Sequence, residues 1–158
     1  MDALNAVAVP CEPTDPKILP LIEAHLTLMC ASSPVCSVHA MDASALEDAG
    51  AELIAVFSGD RAVAMGALKD HGDGLGELKS MHVASDVRGA GLADIVFKAL
   101  LEKARAMGLQ RISLETGSQN AFVPARRFYE RRGFEPCPPF ADYTDDPASV
   151  YYTCVLKS

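Results

Sequence analysis

Val83-Ala84-Ser85-Asp86-Val87-Arg88-Gly89-Ala90-Gly91-Leu92-Ala93 is the stretch from which the rest of the chain can be read. A strand ends, a tight turn of small residues follows, and an amphipathic helix begins. The first N–H groups of a helix have no partner inside it and lie at the positive end of its dipole, so they suit a phosphate or pyrophosphate. Glycine matters in such a turn because a Cβ would hold a phosphate away from those groups. Two familiar phosphate loops are excluded. The G-x-G-x-x-G fingerprint would need glycine where Asp94 stands, and the Gly-Lys-Ser/Thr of a Walker loop is absent. Taken alone, a Gly-x-Gly turn is more often a turn with no ligand.

The helix that follows runs from about Gly91 to Met107. Leu92, Ile95, Val96, Ala99, Leu100 and Ala104 share one face, and Gly108 ends it. Asp94–Lys98 and Lys98–Glu102 are opposite-charge pairs at i,i+4 spacing. Upstream, Gly76 to Val83 reads as a strand. Glu52 to Ser58 and Ala62 to Leu68 read as a hairpin about Gly59-Asp60, and His71-Gly72-Asp73-Gly74 as a loop. Downstream come a strand at Leu109 to Glu115, a helix opened by Pro124 and closed by Gly133, and strands at Phe134-Glu135 and Val150 to Leu156. Before the hairpin lie a short strand at Val7-Ala8-Val9, a helix within Pro16 to Ala31 capped by Asp15, and a short helix from Asp42 ending at Gly50. Pro20 moves the regular part of the first helix toward itself. An antiparallel hairpin followed by strand–helix–strand–helix–strand predicts an α/β (α+β) fold with a mixed sheet.

The 158 residues predict one domain spanning 1–158. No apolar run reaches the roughly 18–20 residues that span a bilayer, so no membrane partner is expected. The first residues carry an acid and no early Lys or Arg, unlike a secretory signal, which predicts a cytoplasmic protein. A net charge of −7 argues against nucleic acid. It serves solubility before it serves attraction of a cationic amine. Five cysteines without a C-x-x-C pair predict idle thiols, neither a disulfide framework nor a metal site. A homodimer is compatible with the sequence.

Arg88-Gly89-Ala90-Gly91-Leu92-Ala93 resembles the R/Q-x-x-G-x-G/A motif of the GNAT acetyltransferases, with Ala closing it. Ala125-Arg126-Arg127-Phe128-Tyr129-Glu130-Arg131-Arg132-Gly133-Phe134 resembles that family's A-x-x-x-Y-x-x-x-G-F segment, one helix and one strand later. Leu114 to Ser118 and Cys137 to Tyr143 look like a bacterial YsnE-like subgroup. The resemblance implies a mixed, mostly antiparallel sheet of six to seven strands with helices on both faces. It also implies acetyl-CoA as cosubstrate, no metal, and transfer of the acetyl group to an amine, read as a small molecule. An acyl-CoA sensor without turnover and a protein or peptide N-acetyltransferase are the other readings.

By the same resemblance, the fourth and fifth strands part and the pantetheine fills the gap. Backbone at Met81, His82 and Val83 would flank the pantetheine, and Arg88, Gly89, Ala90, Gly91, Leu92 and Ala93 the pyrophosphate. Tyr129 is the expected general acid. Glu77, opening the fourth strand, is the candidate general base, with a solvated strand end as its alternative. Alternation puts Glu77, Lys79, Met81 and Val83 on one face and His82 on the other. The family's usual Asn falls at Phe122, with Asn120 two residues earlier as a substitute. Glu115, Ser118, Ser37 and His39 are further residues that could line the acceptor pocket, and nothing in the sequence ranks them.

Overall fold

The computed structural model describes residues 6–31 and 42–156. Ser37 and His39 lie outside these. Among the described residues there are seven strands: β1 (Ala8–Cys11), β2 (Glu52–Ser58), β3 (Arg61–Gly72), β4 (Leu75–Val83), β5 (Arg111–Gly117), β6 (Glu135–Pro136) and β7 (Ser149–Val155). Four helices accompany them: α1 (Leu19–Ala31), α2 (Ala43–Asp48), α3 (Leu92–Ala106) and α4 (Val123–Glu130). The strands form one sheet in the order β1-β2-β3-β4-β5-β7-β6. Every pairing is antiparallel except β4 with β5. The expected mixed, mostly antiparallel sheet is therefore present.

Local chemistry sets the ends of these elements. Asp15 accepts from the Lys17 N–H at 2.9 Å, so it caps the turn before α1. Pro20 then sits in the first turn of α1, where its missing N–H is not needed. Asp42 accepts from Ala45 N–H at 2.8 Å and caps α2. β3 runs four residues beyond the expected Leu68 and β4 begins one residue before the expected Gly76, so they meet at Asp73-Gly74, both with positive φ (55° and 81°). That is the backbone of a two-residue hairpin turn.

Helices cover both faces. Leu92, Val96, Phe97, Leu100 and Ala104 of α3 pack with Tyr129 of α4 on Ile54, Val56, Leu68, Leu78, Ile112 and Leu114. On the opposite face, Ile18 just before α1, Leu21 and Ile22 of α1 and Leu46 of α2 pack on Leu53, Ala55, Met65 and Ala67. The period-two alternation of β2 explains how one strand serves both cores.

Two irregularities in β4 shape the centre of the molecule. Its pairing with β5 runs from Leu75↔Arg111 to Leu78↔Leu114 and stops, although both strands continue. Beyond that point the two strands part, as the resemblance implied. In addition, β4 carries one extra residue opposite β3, because Ala67 pairs with Lys79 but Met65 with His82. Ser80 absorbs it with a left-handed backbone, φ 56°. This bulge overturns the expected alternation. Met81 and Val83 join Leu78 on the α3 side, while His82 shares a face with Glu77 and Lys79.

A non-glycine residue in the left-handed region costs about 1–2 kcal/mol. Ser80→Gly is therefore expected to leave stability unchanged or raise it by up to about 1 kcal/mol, the gain limited by the entropy of glycine. Ser80→Val should cost about 1–3 kcal/mol, since a β-branched side chain fits this conformation worst. Denaturant unfolding of the three proteins checks the order.

Candidate active site

A cleft of about 700 Å³ occupies the parting between β4 and β5 and is lined from both faces of the sheet. Met81, Val83, Leu92, Phe128 and Tyr129 line it from the α3 side, and His25, Glu77, Lys79, His82 and Tyr143 from the other. Of the residues expected at the site, Glu77, Met81, His82, Val83, Arg88, Gly89, Gly91, Leu92, Ala93 and Tyr129 are brought together here. Ala90 is not on the cleft wall and packs toward the α3 core. Asn120 is exposed and off the wall, which its neighbours Ala121 and Phe122 occupy. Glu115 lines the cleft, whereas Ser118 turns away to donate to Pro147 O at 2.6 Å.

One end of the cleft is the start of α3. Gly91 is its N-cap with φ 81°, no side chain caps it, and Gly89 has φ 87°. The first N–H groups of α3 are thus left for an outside acceptor. Arg88 folds back, its Nε donating to Val83 O at 3.2 Å, so it braces the loop against the end of β4. Arg131 and Arg132 add positive charge to the wall. Arg132 lies over the Phe128 ring at 3.5 Å and donates to Asp94 at 2.9 Å, which holds its guanidinium in place.

Tyr129 projects from α4 into this end. Phe128 and Phe134 flank its ring at centroid distances of 5.3 and 5.5 Å. Burial pushes its phenol well above the usual tyrosine range, against the opposing charge of Arg132. Among the described residues its hydroxyl has no hydrogen-bond partner. It is a protonated donor beside the cleft.

The other side is organised around Glu77, which is only 2% exposed. Its Oε1 lies 2.7 Å from His71 Nε2, and its Oε2 accepts from Lys79 Nζ at 2.9 Å and from the Tyr143 hydroxyl at 2.5 Å. Burial alone would raise its pKa, but the Lys79 charge and the three hydrogen bonds outweigh it and hold the carboxyl below its ordinary value. Tyr143 arrives from the segment between β6 and β7 and stacks with Phe140 and Tyr151. Tyr143 was noted only within the stretch Cys137 to Tyr143 that resembles a subgroup, and α1 carries no local motif, so sequence reading gave neither Tyr143 nor His25 a place in the site. Beyond Lys79, His25 Nδ1 and His82 Nδ1 stand 3.1 Å apart, joining α1 to β4. Burial depresses both rings to about 4, helped at His25 by His82 and at His82 by Arg88. Both are neutral at pH 7.

Among the described residues no cluster of His, Cys, Asp or Glu could hold a metal, and no helix is long and apolar enough to cross a membrane. Cys11, Cys137 and Cys154 are free, but Cys30, at the end of α1, is disulfide-bonded, contrary to the expectation of idle thiols throughout.

The histidine pair makes stability depend on pH. The folded pKa values lie below the unfolded ~6.5, so the unfolded chain takes up protons first as the pH falls. The contribution is complete above about pH 6.5 and is lost between there and about pH 4. The slope is at most ~1.4 kcal/mol per pH unit for each ring. Unfolding across this window checks it, with His25→Asn and His82→Asn each flattening the slope.

Comparison with known proteins agrees with this geometry. Residues 19–134 match the acetyltransferase (GNAT) family. The uncharacterized N-acetyltransferase YsnE of Bacillus subtilis is 39% identical over 140 residues, 89% of this chain and 93% of YsnE. A structure described as an acyl-CoA N-acyltransferase from Klebsiella pneumoniae superposes with a TM-score of 0.78 at 27% identity, covering 97% of this chain and 99% of that one. N-acetylglutamate synthase from Neisseria gonorrhoeae, described in complex with coenzyme A and N-acetyl-glutamate, shares the fold at 15% identity. Its TM-score is 0.74, and the match covers 98% of this chain and 36% of that one. With a family match over most of its length, a close relative aligned almost end to end, and the cleft such a fold requires, the chain belongs to the GNAT acetyltransferase family.

Proposed function

We propose that this protein transfers an acetyl group from acetyl-CoA to the nitrogen of a small-molecule amine. The observation that carries the reading is the parting of β4 and β5, lined from both faces and ending at an uncapped helix N-terminus. Such a passage lets two substrates enter from opposite faces and meet at its centre. The fit to an acyl-CoA is specific. The edge of β4 beyond Leu78 is not paired with β5, so it can hydrogen-bond to amides of an extended pantetheine. The N–H groups at the start of α3, with Gly89 and Gly91 leaving them accessible, suit a pyrophosphate. The neighbour described with coenzyme A has the same fold, which supports the assignment.

Acetyl-CoA, when bound, supplies an acetyl group activated as a thioester. Tyr129 retains its proton across the working pH range and is the donor for the departing sulfur. Lys79, Tyr143 and the cleft-facing imidazoles shape the acceptor side. Glu77 holds two of these groups, Lys79 and Tyr143, together with His71, and a proton added to it would break its pairing with Lys79. Its surroundings support an anchoring role over that of general base.

The test is a thiol-release screen with acetyl-CoA against simple primary amines, amino acids, aminoglycosides and peptides. Turnover of at least one small amine is expected, and a protein that neither binds CoA nor releases thiol overturns the reading. Gly91→Val should raise the CoA Kd at least tenfold by straining the turn and blocking the phosphate, with Arg88→Ala milder. Tyr129→Phe should lower kcat on the order of 10²-fold while the CoA Kd stays unchanged. Calorimetry and steady-state kinetics separate the two.

A further inference from the structure

The reading above leaves open where the amine proton goes. The bulge at Ser80 turns His82 onto the Glu77 face, where it meets His25 of α1. Their Nδ1 atoms are 3.1 Å apart with the ring planes at 72°. Two lone pairs cannot face each other at that distance, so one Nδ1 carries a hydrogen and the other accepts it. The tautomers are then forced to be complementary. The ring that donates through Nδ1 has a bare Nε2, and its partner has a protonated Nε2. The pair therefore has an accepting end and a donating end.

Its position gives that polarity a use. His25 lines the cleft only, whereas His82 lines both the cleft and a second cavity of about 910 Å³ beneath α1, beside Leu21, Ala24, Thr27 and Ala84. We propose that His25 and His82 form a two-ring proton relay that takes the proton released by the acceptor amine and passes it along the α1 side of the sheet to the second cavity. The inference rests on the transferase reading. As the nitrogen–carbon bond to the acetyl group forms and the carbon–sulfur bond breaks, the amine N–H proton moves to His25 Nε2. The His25 Nδ1 proton crosses to His82 Nδ1, and the His82 Nε2 proton leaves to water. The sulfur takes its proton from Tyr129, which water restores. The rings end with exchanged tautomers, and two proton transfers with water reset them. Neutral rings are needed at the start, and burial keeps them so, aided at His82 by Arg88. Glu77 is a poor substitute, with three donors already on its carboxylate.

Asparagine places an amide where Nδ1 stands, so His25→Asn and His82→Asn retain the link between α1 and β4 but cannot carry a proton. With acetyl-CoA and the most active amine of the screen, each variant should lose on the order of 10²-fold in kcat at an unchanged CoA Kd. The wild type should show a solvent deuterium effect with a bowed proton inventory, which becomes linear in either variant. Nitrogen-15 NMR of the resting protein should show one ring protonated on Nδ1 and the other on Nε2. Variants that turn over within about twofold of wild type, or two rings in the same tautomer, overturn the relay and leave the transferase reading standing. A wild type that binds CoA but acetylates no amine overturns both.

Discussion

The site depends on how β4 ends its partnership with β5. Up to Leu78 the two strands are an ordinary parallel pair, and beyond it they are not bonded to each other. A sheet normally satisfies the backbone of a central strand on both edges. Here the arrangement withholds that partner in the middle of the sheet, where exposed backbone is costly unless something extended completes it. The left-handed Ser80 lies in the same segment, so strain and unpaired edge coincide. Together they decide which side chains look into the gap. Met81 and Val83 face the α3 core, and Glu77, Lys79 and His82 face the opposite side.

That division separates two kinds of chemistry. The α3 side holds the uncapped helix start, arginines and a protonated Tyr129, a set suited to phosphate and a departing sulfur. The opposite side is a buried polar network in which each charge is compensated. Glu77 is offset by Lys79 and two further hydrogen bonds, and His25 and His82 stay uncharged. Buried charge is tolerated only when paired in this way, which is why removing one member would disturb its neighbours.

Most of the fold was legible because local signals agreed. Asp42 and Gly50 mark α2, the apolar stripe from Leu92 to Ala104 marks α3, and Gly59-Asp60 marks the hairpin of β2 and β3, of which β3 is longer than read. The glycine turn into α3 was legible because its geometry is local backbone chemistry. The bulge was not, since Ser80 holds a conformation usually signalled by glycine, and simple alternation put Met81, His82 and Val83 on the wrong faces relative to Glu77. Glu77 was singled out as a candidate base or a solvated strand end and is found buried on the cleft wall, but its partners His71 and Tyr143 cannot be inferred from the pattern of its own strand. His25 was hidden for the same reason, standing 57 positions from the ring it touches.

The central claim is that the gap between β4 and β5 is completed by the extended arm of an acyl-CoA. Amide hydrogen exchange, followed residue by residue with and without coenzyme A, tests it most directly. The account predicts that coenzyme A slows exchange at the β4 edge around Met81 and Val83 and at the first turn of α3 from Leu92 to Asp94, with little change in β1 and β2. Protection elsewhere with these two segments unchanged would contradict it.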